Sequence, residues 1–210
     1  FDVSDTVQLW VDGKAENNGW AILPTGTDGF DFDSSKGATG SQRPMLDIAY
    51  ALYPRFSGNG GSWNSAANWA HGTPDGNGAV ARFLNRETAA TVLLDGSKTV
   101  GTLIIDSAGA YSLNAGSGGA IGCANNGNTA TLQVKQGQHT LAVPLVFFDP
   151  GTLDIAAGAS ATATAGVGVA AGQSLRKINA GVMQLSGGLA LESGTAADVV
   201  EGELQGYRIT

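Results

Sequence analysis

The chain has little of what most catalytic, metal-binding or membrane-spanning proteins need. Its 210 residues include one cysteine and two histidines, and only 14% are charged. The single cysteine, Cys123, excludes an internal disulfide, and its Gly/Asn-rich surroundings favour a small buried residue. The longest apolar run, residues 141–148 with Pro144 inside it, is far shorter than the ~20 residues of a membrane-spanning helix.

Positive charge is also scarce. The chain has 11 Lys and Arg residues against 18 Asp and Glu residues, a formal net charge of -7. Nucleic acids and anionic membrane surfaces both require basic footprints, so we expect neither as a partner. The low charge indicates neutral rather than polyanionic ligands.

Glycine is abundant, with 32 residues, about double the usual share of roughly 7%. Short apolar runs recur among small residues at 102–105, 131–134, 152–155, 182–185 and 203–206. Their lead positions are 103, 132, 153, 182 and 204, so a longer and a shorter step alternate along the chain. Repeats of roughly 20 to 30 residues are typical of a solenoid whose coils bury one continuous core.

The pattern therefore predicts an all-β chain in two parts. Residues 63–210 are expected to form a right-handed parallel β-helix. Residues 1–54 hold two of the four tryptophans and eight of the 18 acidic residues, and we expect a β-sandwich or jelly-roll remnant there. Within it, the alternation from Val7 to Asp12 predicts a strand. The Gly-rich residues 55–62 are predicted to be a linker. The abrupt start at Phe1 suggests a piece of a longer precursor.

Two segments resemble known families. The first resembles the C-terminal part of the DNRLRE-type domain, an extracellular jelly roll grouped with carbohydrate-binding modules. It covers about a quarter of the chain and lacks the family's N-terminal strands. The residues that carry this resemblance are Trp10–Gly13, Asn17–Trp20, Gly26–Gly29, Phe32–Ser35 and Arg43–Leu46.

From Trp63 onward, the chain resembles the autotransporter-associated β-strand repeat proteins of large secreted bacterial polypeptides. This resemblance extends over most of the chain and implies coils of a right-handed parallel β-helix. The family includes adhesins, surface passengers and stalks, and its repeat has no catalytic residues to carry over. The supporting segments are Trp63–Trp69, Thr99–Leu103, Lys177–Gly187 and Glu201–Leu204.

The four tryptophans are the main candidates for binding a ligand, because flat indole rings stack on the apolar faces of sugars. Asn and Asp side chains beside them can bind sugar hydroxyls. For each tryptophan a structural role remains open, and for Trp63 and Trp69 the favoured role is to plug the open end of the solenoid. The predicted ligand-binding residues are Trp10, Trp20, Trp63, Asn64, Asn68 and Trp69.

Asp28, Asp31 and Asp33 are candidate ligands for a structural calcium ion, since closely spaced carboxylates supply the hard oxygen atoms that Ca²⁺ prefers. A solvated acidic turn is the alternative. No other cofactor is expected.

Signals for catalysis are few, and we expect no enzyme activity. Asp106 and Asp154 lie in related runs and can share an outer face, as the paired carboxylates of a β-helix lyase or hydrolase would. Gln133 and Gln184 take the places equivalent to Asp154, which dilutes that cluster. Ser174 and Lys177 match the S-x-x-K pattern of penicillin-recognising enzymes, although that mechanism needs a helix here.

The sequence thus favours a secreted or cell-surface bacterial module that binds polysaccharide without catalysis, as an accessory part of a larger carbohydrate-active protein. The alternative is a structural stalk, surface passenger or self-assembling fibre subunit that associates through its solenoid ends. A β-helix polysaccharide lyase or hydrolase is a minor third possibility.

Overall fold

The computed structural model describes residues 4–11, 15, 16, 18, 52–84 and 86–206. The chain divides into two compact units, Phe1–Ala51 and Leu52–Thr210. In the first unit, α1 spans Ser4–Val11, so the strand predicted from Val7 to Asp12 is wrong. The predicted β-sandwich remnant otherwise lies outside the described residues.

The second unit is a parallel β-helix, so the predicted fold class is confirmed. Its strands form three sheets, which we call A, B and C. Sheet A contains β1 (Arg55–Phe56), β3 (Trp69–Ala70), β4 (Val80–Leu84), β7 (Thr102–Asp106), β10 (Ala130–Gln136), β13 (Gly151–Ile155), β16 (Ser174–Ile178) and β19 (Ala196–Val199). Sheet B contains β2 (Gly61–Ser62), β5 (Ala90–Leu94), β8 (Tyr111–Ala115), β11 (Gln138–Ala142), β14 (Ser160–Ala163), β17 (Val182–Leu185) and β20 (Glu203–Gly206). Sheet C contains β6 (Lys98–Val100), β9 (Ile121–Cys123), β12 (Leu145–Phe147), β15 (Val167–Val169) and β18 (Leu189–Leu191).

Each complete coil visits sheets A, B and C in turn and then steps to the next coil. In sheet A, one inward ladder runs through Ala81, Leu103, Leu132, Leu153, Lys177 and Val199. The step between successive members varies along this ladder and is longest from Leu103 to Leu132. The coils therefore differ in length while their strands stay in register.

The core consists of the inward residues of these short strands. Burial alternates along each strand, for example in β10 and β13, because successive side chains point to opposite faces. A fully buried Leu, Ile or Val contributes about 1.5–3 kcal/mol. One coil leaves its inward side chains open above and below, so the stacking of coils is what buries them.

The register corrects two of the predicted repeat positions. Residues 103, 132 and 153 do share a ladder, but the next member is Lys177, not residue 182. Val182 and Leu204 belong to sheet B, where β17 pairs with β14 and β20.

The segment 55–62, predicted to be a linker, is part of the solenoid. In β1, Arg55 pairs with Arg82 and Phe56 with Phe83, and in β2 Gly61 pairs with Val92. β3 pairs with β1 in the antiparallel direction and covers its outer edge. Such a strand ends the parallel stack and hides backbone groups that would otherwise remain unpaired.

Candidate ligand-binding surface

Trp63 and Trp69 close one end of the solenoid core. Trp63 is fully buried and Trp69 is 6% exposed. Their ring centroids lie 4.9 Å apart, and Trp63 lies 5.5 Å from Phe83 in the first complete coil. Phe56 makes an edge-on contact with Trp69 at 5.3 Å. The pair therefore forms an aromatic plug over the ladders.

Hydrogen bonds fix the plug. The Trp63 Nε1–H donates to the Pro74 carbonyl at 3.0 Å, and the Trp69 Nε1–H donates to the Trp63 carbonyl at 2.8 Å. With their polar atoms paired and their faces covered, neither ring offers a surface to a sugar. The stacking role predicted for these two residues is wrong for this reason, and the capping alternative describes their position.

Asn64 and Asn68 hold the polypeptide around the plug. Asn68 donates from Nδ2 to the Ser62 carbonyl at 2.9 Å, and its side chain lies against Gly58. Asn64 is exposed, and its Nδ2 donates to the Asp95 carbonyl at 2.6 Å. Both amide nitrogens therefore bind backbone carbonyls of the solenoid's own turns.

The remaining predicted site residues belong to the first unit. Trp10 lies in α1 and is partly buried. Trp20 and the three predicted calcium ligands, Asp28, Asp31 and Asp33, lie outside the described residues, and those predictions stay predictions. Within the described part of the chain, no three His, Cys, Asp or Glu residues group as metal ligands would.

The carboxylates weighed for catalysis do not form a pair. Asp154 is level with Gln133 and Ile178, whereas Asp106 is level with Leu84 and Gln136. Gln184, predicted to be equivalent to Asp154, pairs with Thr162 in sheet B instead. The Asp154 carboxylate accepts from Gln133 at 2.7 Å and from Asn179 at 2.6 Å, which is a structural network.

Ser174 and Lys177 do not form an acyl-serine centre. Both lie in β16, where an odd spacing places two side chains on opposite faces. Ser174 is exposed and Lys177 is 1% exposed. Cys123 is buried as expected, and burial raises the pKa of its thiol to about 12, so the reactive thiolate is scarce at neutral pH.

The outer side of sheet B carries a different kind of surface. One ladder of outward positions runs across six adjacent strands, with each member level with the next. We call this surface the hydroxyl–amide face; its central ladder is Thr91, Ser112, Thr140, Thr162, Gln184 and Gln205. At the usual strand spacing of about 4.8 Å, it is about 24 Å long.

The central ladder of this face is uncharged, while the positions on either side of it are mixed: Leu93, 39% exposed, is level with Asn114, and Val182 is level with Ser160. Asn114 and Ser160 flank the central ladder, and the Ser112 hydroxyl donates to Asn114 Oδ1 at 2.7 Å. Glu203 is the one acidic or basic residue in the seven strands of sheet B apart from His139, which points inward and is buried. Sheet A, by contrast, carries outward Arg, Lys and Asp side chains on most of its strands.

Sequence reasoning missed the hydroxyl–amide face. The signal was the polar position between apolar neighbours in runs such as Ala90–Leu94 and Gln138–Ala142. Only the register shows that these positions form one line, because the intervening coils differ in length.

No helix in the described part of the chain is long and apolar enough to cross a membrane. Comparisons with protein-family models, with curated proteins and with solved structures found no match to this chain.

Proposed function

We propose that this chain is a non-catalytic polysaccharide-binding module of a secreted or cell-surface protein, and that it binds a neutral polymer along the hydroxyl–amide face. The observation that carries the proposal is the uncharged central ladder across six strands of sheet B. The hydroxyl–amide face is proposed in place of the tryptophans predicted from the sequence, because Trp63 and Trp69 are buried.

The side chains of this ladder suit sugar hydroxyls. Hydroxyl and amide groups both donate and accept hydrogen bonds, as sugar hydroxyls do. Each such bond adds only about 0.5–1.5 kcal/mol net, so a single sugar is held weakly. A polymer lying along repeated positions engages several at once, and its affinity rises without any single strong contact.

The test is binding to insoluble and soluble neutral polysaccharides, with two matched double variants. Thr140→Val with Thr162→Val removes two hydroxyls from the central ladder, while the β-branched shape that suits a strand remains. Thr131→Val with Thr152→Val removes two hydroxyls from an equivalent ladder on sheet A. We expect about tenfold weaker binding in the first variant and none of that loss in the second.

Equal binding by both variants and the parent would contradict the hydroxyl–amide face as the binding surface. Absence of binding to every polymer, with all proteins folded by circular dichroism, would contradict the proposed function itself.

A structural role is the second candidate, and one observation favours it. In the last described coil, the inward positions Ala197 and Val199 are exposed, and β19 and β20 have no further strand beside them among the described residues. Such an edge accepts another coil, as in a stalk or a self-assembling fibre. Sedimentation of the chain over a range of concentrations tests self-assembly.

A further inference from the structure

A polar pocket lies near the plugged end of the solenoid, at the corner where sheet A leads into sheet B. Its volume is about 480 Å³. The lining comes from β1, from the end of β4 and from the corner that follows it. The residues whose side chains matter here are Arg55, Ser57, Asn59, Arg86, Glu87 and Thr88.

Positive charge is concentrated at this corner of an otherwise acidic protein. Arg55 and Arg82 pair directly across β1 and β4, on the outer face of sheet A. Two like charges opposite one another are unfavourable unless something compensates for them. No carboxylate among the described residues forms an ion pair with either arginine.

The hydrogen-bonding capacity of these two guanidinium groups is unused within the described structure. Arg55 is exposed and Arg82 is partly buried, and the Arg82 Nε is a buried donor without an acceptor. A guanidinium group presents up to five donors in a fork that matches the two oxygen atoms of a carboxylate. Of the two, Arg55 lines the pocket, and an oxyanion bound there is the partner that its guanidinium group lacks.

Arg86 supplies a third guanidinium group, held in place from several sides. It donates from Nη1 to the Gly58 carbonyl at 2.5 Å and from Nη2 to Asn59 Oδ1 at 3.3 Å. Its Cζ also lies 5.8 Å from the centre of the Tyr111 ring. A fixed cation loses little conformational freedom when a ligand binds, which favours affinity.

The rest of the lining offers hydroxyl and amide groups. Ser57, Asn59 and Thr88 can donate to or accept from ligand hydroxyls. Glu87 is the one acidic lining residue, and its charge opposes an anion. The pocket thus combines a cationic side with a side suited to hydroxyl groups.

We propose that this pocket binds the carboxylate of an acidic sugar, with Arg55 as the anion-binding residue of the lining and Arg86 as a fixed cation. Arg82, on the neighbouring strand, adds positive charge next to Arg55 without lining the pocket. The hydroxyl and amide groups of the lining bind the sugar hydroxyls. This site uses none of the residues of the hydroxyl–amide face.

The experiment is a titration of the full chain with glucuronate, followed by nuclear magnetic resonance. Acetate and inorganic sulfate report on the anion alone, and methyl glucoside reports on the neutral ring. We expect saturable glucuronate binding that is at least about tenfold tighter than binding of any of the other three. Acetate or sulfate binding as tight as glucuronate binding would overturn the assignment to an acidic sugar.

Three variants locate the site. Arg55→Gln should weaken glucuronate binding about tenfold, because it removes a charge-assisted hydrogen bond from an exposed residue. Arg176→Gln is the matched control, since Arg176 is an exposed arginine elsewhere on sheet A, 3.9 Å from Asp198. Glu87→Gln should tighten binding, because it removes the opposing charge.

Equal glucuronate affinity in Arg55→Gln and Arg176→Gln would overturn the proposal. Weaker binding by Glu87→Gln would also overturn it. The tighter binding expected of Glu87→Gln cannot result from unfolding, so this variant tests the site even if Arg55→Gln does not fold. The double variant Thr140→Val with Thr162→Val should bind glucuronate as tightly as the parent protein does. The result for the pocket is therefore independent of the result for the hydroxyl–amide face.

Discussion

At the scale of single residues, Lys177 shows how a charged side chain is accommodated inside an apolar ladder. Its stem continues the row of Leu103, Leu132 and Leu153, and its ammonium group reaches the corner that follows β16. There it donates to the carbonyls of Ile178 at 2.8 Å, Asn179 at 2.5 Å and Glu201 at 3.2 Å. Three donors meet three acceptors, so this corner has its polar groups paired inside the core.

His139 is the residue whose titration should be visible in the stability of the solenoid. Its Nδ1 accepts the Tyr111 backbone N–H at 3.0 Å, and its Nε2–H donates to the Gln136 carbonyl at 2.8 Å. This arrangement requires the neutral ring, because a protonated Nδ1 cannot accept. Burial lowers the pKa of His139 below its ordinary 6.5, and the bond to Gln136 opposes this only in part.

We therefore expect acidification to destabilise the protein through His139. Below pH 6.5 the unfolded chain binds this proton more readily than the folded chain does. The free energy of unfolding should fall as the pH drops through 6.5, and should level off below the folded-state pKa. Each unit by which the pKa is lowered corresponds to about 1.4 kcal/mol.

Urea unfolding at pH 7.5 and pH 5.5 measures this effect, with His139→Gln as the comparison. The parent should lose more stability between the two values than the variant does. An identical loss in both proteins would contradict a folded-state pKa of His139 that lies below its unfolded-state value.

At the scale of elements, the corners between strands depend on glycine where the backbone is left-handed and space is short. Gly137 joins β10 to β11 with φ of 79°, and a Cβ there would collide with the Ser107 carbonyl oxygen. Gly158 occupies the equivalent corner between β13 and β14 with φ of 77°, and a Cβ there meets nothing within 4 Å.

These two glycines make a matched pair for mutation. Gly158→Ala should cost about 1–2 kcal/mol, the penalty of a left-handed backbone for a residue with a Cβ. Gly137→Ala should cost about 2–5 kcal/mol, because crowding against Ser107 adds to that penalty. Urea unfolding followed by circular dichroism measures both, and equal costs would contradict the predicted crowding.

Strands and helices differed in how well the sequence predicted them. Short apolar runs between small residues were enough to predict the solenoid, because few other folds show a repeat of that period. The segment from Val7 to Asp12 alternates like a strand, but its residues 7–11 lie in α1, and a segment that short fits both patterns. The linker prediction failed because β1 and β2 have only two residues each and little apolar character.

The candidate sites were harder to predict than the fold. Lys177 occupies a ladder position at which the sequence pattern predicts an apolar residue. For that reason the sequence pattern placed Val182, instead of Lys177, after Leu153 in the repeat. The line from Thr91 to Gln205 and the pairing of Arg55 with Arg82 both depend on register across coils of unequal length. Burial of Trp63 and Trp69 was one of two alternatives that the sequence left open, and the packing of Phe56 and Phe83 against them decides it.

At the scale of the whole molecule, the two ends of the described solenoid differ. One end has the antiparallel β3 and the aromatic plug, while the other exposes Val199 at 44% and Val200 at 51%. If coils stack on the exposed end, the sedimentation coefficient of the chain should rise with concentration. Val199→Lys should suppress that rise, since a charge at an inward position opposes burial.

Thr131→Val is a suitable control for this sedimentation measurement, because Thr131 lies on the outer face of a central coil. A single sedimenting species at all concentrations in the parent protein would contradict self-assembly.

The unequal coils have a consequence for how such a chain can change over evolution. The long step from Leu103 to Leu132 contains the loop 124–129, which Asp149 anchors by accepting from the backbone N–H groups of Asn125 at 2.6 Å and Gly127 at 3.1 Å. The extra length lies in loops, and Leu103 and Leu132 still face each other in adjacent coils. Corner loops can therefore gain or lose residues without any change to the interior. The fold is suited to displaying inserted peptides, such as epitopes or new binding loops, on a frame that does not need to be redesigned around them.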